Sequence, residues 1–134
     1  MPKLETIEGI GPVNTDKLRA AGISSLEKLL RSGAKPSGRK ELEDITGIGH
    51  KTILNFVNRA DLCRIKGVSG QYGDLLEFAG VDTVPKLGQR NGANLHAKMT
   101  EVNDEKKLVR TLPALSQVED WIAQAQELPR IVKY

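Results

Sequence analysis

The sequence predicts an all-α fold in which short helices, joined by tight glycine turns, pack as a compact orthogonal bundle. Three observations predict it. Apolar residues recur at helical spacing, as in Leu26, Leu29 and Leu30, or Val118, Trp121, Ile122 and Ala125, while alternating strand patterns are absent. Helix start and stop signals are dense along the whole chain. The chain also repeats itself. "IEGIGPVNTDKLRAAGI" (Ile7 to Ile23) matches "IKGVSGQYGDLLEFAGV" (Ile65 to Val81) at a constant offset of 58 residues, and "ITGIGHKTILNFV" (Ile45 to Val57) matches "LPALSQVEDWIAQ" (Leu112 to Gln124) at 67. Two units are therefore expected, residues 1–62 and 63–134, each holding two related hairpins. The second carries about nine extra residues near 88–107, around "RNGANLHAKMTEVNDEKK".

Each element has its own signal. Pro12 suits a first helical position, where its missing N–H is no loss, and Gly22 supplies the stop after "LRAA". Ser24 with Glu27 reads as a capping box before "LEKLL", with Gly33 as its stop. Ser37 is the expected cap of "GRKELEDI". The phrase "GIG" then turns the chain into "HKTILNFV". In the second unit Gly80 stops one helix, and Asp82 or Thr83 caps the next, which holds Pro85. "NLHAKM" reads as a helix with His96 at its surface, and Ser116 with Glu119 as a capping box before "VEDWIAQA". The last residues, "PRIVKY", have no helical pattern and suit docking on the bundle or an extended segment offered to a partner.

Composition bounds the function. The 134 residues are 39% hydrophobic and 28% charged, as in soluble globular proteins, with only 4% aromatic, so Leu, Ile, Val and Ala must build the core. No apolar run approaches a membrane span, and the first residues show no secretory signal. The single Cys63 excludes an internal disulfide and reads as a core or half-core residue, so a cytoplasmic location is expected. The net charge is +3 and the pI about 9.1. Residues 1–60 hold ten Lys/Arg against seven Asp/Glu, whereas residues 61–134 hold ten of each, so the whole excess lies in the first half. Ordinary surface composition explains such a split, and so does a polyanionic partner. "SGAKPSGRK" places Lys35, Arg39 and Lys40 either on a solvated linker or on a basic lip beside the hairpins.

The glycine turns carry the functional signal. A glycine accepts positive φ and leaves its backbone open to approach. A helix that starts directly after such a turn presents up to four N–H groups without internal partners, reinforced by the helix dipole. Backbone amides of this kind suit a phosphate oxygen and read no base. The first turn offers Gly9 and Gly11 with Lys17; the second offers Gly47 and Gly49 followed by His50, Lys51 and Thr52, a charge and a hydroxyl at the right place. The third, "GVSGQYG", has Ser69 for a glycine, with Tyr72 as a further donor; the fourth, "ALSQVED", has no glycine and presents Glu119 and Asp120 instead. The plain alternative is that these glycines are turn devices only.

"IEGIG" and "ITGIG", each followed by a helix, resemble helix-hairpin-helix motifs, which in repair and recombination proteins bind DNA backbones without sequence preference. The whole chain, through "RADLCRIKGV", "AGVDTV", "NLHAKM" and "VEDWI", is similar to the bacterial domain of unknown function 4332 family. These resemblances imply an all-α fold of duplicated helix-hairpin-helix units, two pairs of hairpins, and a nucleic-acid site at Gly9, Gly11, Lys17, Gly47, Gly49, His50, Lys51 and Thr52. The expected role is sequence-independent, non-catalytic binding of a DNA phosphate backbone, weak and confined mainly to the first half. No metal-ligand spacing, Walker pattern or dinucleotide fingerprint is present, and no cofactor is expected. Asp16 or Lys17 can be nominated as glycosylase residues, but the chain is small for a base pocket. The competing reading is a protein-protein interaction module that uses the hairpins as scaffold and its neutral second half as the working surface.

Overall fold

The computed structural model describes residues 4, 7, 10–68 and 70–134. Among them it holds eight α-helices and no strand: α1 Gly11–Ala20, α2 Leu26–Ser32, α3 Pro36–Thr46, α4 His50–Leu62, α5 Gly70–Phe78, α6 Val84–Gly88, α7 Gly92–Lys106 and α8 Leu115–Glu127. The chain divides into two compact units, Met1–Asp61 together with Arg130–Tyr134, and Leu62–Pro129.

The repeat in the sequence reappears as a repeat of hydrogen bonds at the same offset of 58 residues. Ile7 N–H bonds Leu4 O and Ile10 N–H bonds Ile7 O; Ile65 to Leu62 and Val68 to Ile65 copy them. Gly22 (φ 86°) and Gly80 (φ 94°) close α1 and α5 identically, with Ile23 N–H on Leu18 O and Val81 N–H on Leu76 O. These are the six-to-one bonds of a glycine helix stop, and a side chain at either glycine would be strained. Ser25 and Thr83, again 58 apart, cap α2 and α6 by accepting from Lys28 N–H and Lys86 N–H, each at 3.2 Å.

Three expected caps are displaced. Ser25, not Ser24, caps α2. α3 begins at Pro36, whose fixed φ presets the first turn, so Ser37 lies inside the helix and Lys35 flanks it without a side-chain cap. α8 begins at Leu115, so Ser116 sits within its first turn, and Ala114 precedes it uncapped. The extra residues of the second unit form α7, which Asn91 caps on Asn94 N–H and Asn103 closes through both its amide groups on Val109.

The core of the first unit is aliphatic: Leu4, Ile7, Ile10, Leu18, Ile23, Leu26, Leu29, Leu30, Leu42, Ile48, Ile53 and Val57, with Phe56 and Val132. Gly33 is buried and its φ is −99°, so conformation does not demand glycine there; space does. A Cβ would run into Val57 Cγ2, and valine, stiff at χ1, cannot swing aside. Gly33→Ala is expected to lower unfolding free energy by about 1–3 kcal/mol in a urea titration. A stability within experimental error of the parent would show that the α2–α3 corner is looser than this packing implies.

The second unit packs around Trp121, which is 0% exposed, with Leu75, Leu76, Leu87, Leu95, Met99 and Val118. The Tyr72 ring meets Trp121 at 5.6 Å between centroids, tilted by 54°. No helix among the described residues is long and apolar enough to cross a membrane.

Candidate nucleic-acid interface

The turn between α3 and α4 is built from the inside outward. Ile48, 4% exposed, anchors it in the core. Gly47 ends α3 in the left-handed region (φ 73°), its N–H on Glu43 O at 2.9 Å. Thr46 Oγ1 donates to Leu42 O at 2.6 Å and accepts from Ile48 N–H at 3.1 Å, so one hydroxyl pins both sides of the bend. Gly49 then occupies the N-cap position of α4, its carbonyl accepting from Ile53 N–H at 3.0 Å. The amides of Gly49, His50, Lys51 and Thr52 donate to nothing among the described residues. Gly49, His50 and Lys51 are exposed and Thr52 is half-buried.

Gly49 is the informative residue. Its φ lies outside the left-handed region, and a Cβ built on it would meet nothing within 4 Å. Neither backbone conformation nor internal packing requires a glycine at this position. A serine or aspartate would cap α4 better. What glycine preserves is open access to the amides behind it.

The charges around the turn are mixed. Lys51 forms no ion pair or hydrogen bond through its side chain among the described residues, and the Thr52 hydroxyl is likewise uncommitted. His50 Nδ1 lies 3.9 Å from Glu43 Oε2. Glu41, Glu43 and Asp44 all stand on the second half of α3, leading into the bend. An anion arriving here is attracted by amides, helix dipole and Lys51, and opposed by nearby carboxylates. The sequence reading weighed Lys51 and overlooked those carboxylates, although "ELED" was visible beside the turn.

The first turn is less complete. Gly9 lies outside the described residues. Gly11 adopts φ 75° and is exposed, with open space where a Cβ would stand. Pro12 follows within the first turn of α1 and removes one amide from the helix start. Thr15 Oγ1 donates back to Gly11 O at 2.8 Å and is buried. Lys17 belongs to the last turn of α1. Six residues separate it from Gly11, about 9 Å along the helix axis, so it does not join the amides of its own turn. The structure thus gathers Gly47, Gly49, His50, Lys51 and Thr52 at one bend and leaves Lys17 apart.

The other two turns serve the interior. Gly67 (φ 97°) lies directly against Trp121 Nε1, which would stand 2.8 Å from a Cβ there. The Gln124 side chain seals the same bend, accepting from Lys66 N–H at 2.8 Å and donating to Lys66 O at 3.3 Å. Tyr72, expected as an available donor, spends its hydroxyl on Thr111 O at 3.0 Å. In the fourth turn α8 starts two residues earlier than its counterpart α4, and Leu115, in the place of buried Ile48, is 40% exposed.

Other expectations need correction. Arg39 is not part of a solvated linker or basic lip: it is 2% exposed and donates to Gly33 O, Ala34 O and Lys133 O. Its charge is therefore withdrawn from the surface, while Lys35 and Lys40 remain exposed. His96 is half-buried and pairs through Nε2 with Pro113 O at 2.9 Å. Cys63, by contrast, is half-buried in keeping with a core or half-core residue, and no group of His, Cys, Asp or Glu able to hold a metal occurs among the described residues.

The family model described as domain of unknown function (DUF4332) matches residues 8–128, and the chain belongs to that family. No curated protein and no solved structure matches the chain significantly.

Proposed function

We propose that the bend Gly47–Ile48–Gly49 with the start of α4 is a helix-hairpin-helix phosphate site, and that the protein binds DNA through its backbone, without base preference and without catalysis. The observation that carries this reading is Gly49: a glycine that neither φ nor packing requires, in front of four unpartnered exposed-side amides. An approaching phosphate oxygen needs that space and those donors. Lys51 adds a charge at the rim, and the Thr52 hydroxyl a further donor. The first turn contributes through Gly11 with fewer amides, and the two turns of the second unit take no part, since α8 closes one and the other lacks the bend.

With one free lysine at the bend and the carboxylates of Glu43 and Asp44 near it, binding is weak and strongly salt-dependent. Lys51→Glu is expected to weaken binding of a labelled duplex about tenfold at low salt and to flatten the salt dependence by about one phosphate contact. Anisotropy titrations at several salt concentrations measure both. Equal affinity of variant and parent removes Lys51 from the site. Failure of both to bind favours the module whose partner is another protein.

A further inference from the structure

The segment Arg130–Tyr134 belongs to the first unit and touches both helices that flank the proposed phosphate site. Val132 is 2% exposed. Lys133 N–H donates to Ala34 O at 2.7 Å, and its carbonyl accepts from Arg39 Nη2, on α3, at 2.8 Å. Tyr134 Oη donates to Asn58 Oδ1, on α4, at 2.7 Å, and its ring centroid lies 5.9 Å from the guanidinium of Arg39 and 5.7 Å from that of Arg130. Arg39 stands nine residues before Ile48, and Asn58 ten after it. Two helices joined by a bend can still open or close like dividers; a third side tying them makes a triangle, which cannot. The bend fixes one corner, and the strap ties α3 at Arg39 to α4 at Asn58.

We propose that Arg130–Tyr134 is a positioning strap that fixes the angle between α3 and α4 and thereby the presentation of the amides at Gly49–Thr52. This rests on the phosphate reading for its effect on DNA, but not for its effect on the bend. Arg39 is the pivot: a buried cation whose two terminal nitrogens donate to carbonyls of the α2–α3 corner and of the strap, with an aromatic ring beside it. Tyr134→Phe removes the hydroxyl that bonds Asn58 and keeps the ring, and Val132→Asp expels the strap by placing a charge at a buried position.

Both variants are to be compared with the full parent chain by amide hydrogen exchange and by duplex titration. The amides that report on the bend are those of Gly47 and Ile48, bonded at the end of α3, and of Ile53, bonded at the start of α4. Tyr134→Phe is expected to lower their protection about fivefold and to weaken DNA binding by a similar factor, with an unchanged salt slope because no charge at the site is lost. A purely structural role would move the global melting transition and leave no loss confined to the bend. Unchanged protection at Gly47, Ile48 and Ile53 in both variants overturns the strap. If Val132→Asp unfolds the first unit, Tyr134→Phe alone decides. A parent chain that binds no DNA overturns the phosphate reading, and the exchange data still decide the strap.

Discussion

Gly49→Asp is expected to make the protein more stable and to abolish DNA binding. The new carboxylate would stand at the N-cap of α4, where it accepts from the amide of Lys51 or Thr52 and faces the positive end of the helix dipole. Relative to glycine such a cap contributes a few tenths of a kcal/mol and its charge on the helix dipole about 0.3–1 kcal/mol, read as a higher melting temperature by circular dichroism. No steric contact among the described residues opposes it, because a Cβ at Gly49 meets no atom within 4 Å, while Glu43 and Asp44 on α3 reduce the gain. The same carboxylate fills the donors that a phosphate would use and repels the phosphate, so affinity for a labelled duplex should fall by more than about tenfold. Gly49→Ala separates the two effects. It obstructs the approach without adding a charge, and as a poorer cap it lowers stability by less than about 1 kcal/mol. Gain of stability with loss of binding in the aspartate variant is a combination that a mere turn glycine cannot produce. A stabilised variant that binds as well as the parent would place the DNA contact elsewhere.

The largest stability effect is expected at Trp121. It is fully buried, touches the Tyr72 ring and lies against the Gly67 bend, so it holds α8 to the start of the second unit. Trp121→Ala should lower unfolding free energy by about 3–5 kcal/mol in a urea titration followed by circular dichroism. That is a large fraction of a total that is ordinarily about 5–15 kcal/mol. Trp121→Phe should cost far less. Trp121 Nε1 is buried without a hydrogen-bond partner, so the phenylalanine loses ring volume but no bond. Equal losses for both substitutions would mean that the indole N–H, not the ring volume, is what the second unit needs.

Much of the fold is legible in the sequence because the repeat carries it. The matched phrases at offset 58 reproduce the same helix stops at Gly22 and Gly80 and caps at the paired positions Ser25 and Thr83. The misplaced caps have a common physical cause. Ser24 and Ser25 are adjacent and equally suited by type, and only the local backbone selects one. At Ser37 and Ser116 a prior feature, Pro36 or the uncapped Ala114 start, begins the helix before the serine is reached. Arg39 was not legible, because its three carbonyl partners include one 94 residues away, at Lys133. Long-range pairing of that kind leaves no local pattern; the only hint was an apolar, basic ending without helical spacing. At the candidate site, the bend and its glycines could be read from "ITGIGHKT", and the lone placement of Lys17 could have been found by counting helical turns. The closure of the Gly67 bend by Trp121 and Gln124 needed the packing of α8, which spacing alone does not report.

The most direct measurement is an amide chemical-shift titration of the isotopically labelled full chain with a short duplex at low salt. Binding at the bend should move the N–H signals of Gly49, His50, Lys51 and Thr52 most, in fast exchange, and added salt should reverse the movement. Signals at these four residues that stay fixed while others shift would contradict phosphate capture at the start of α4.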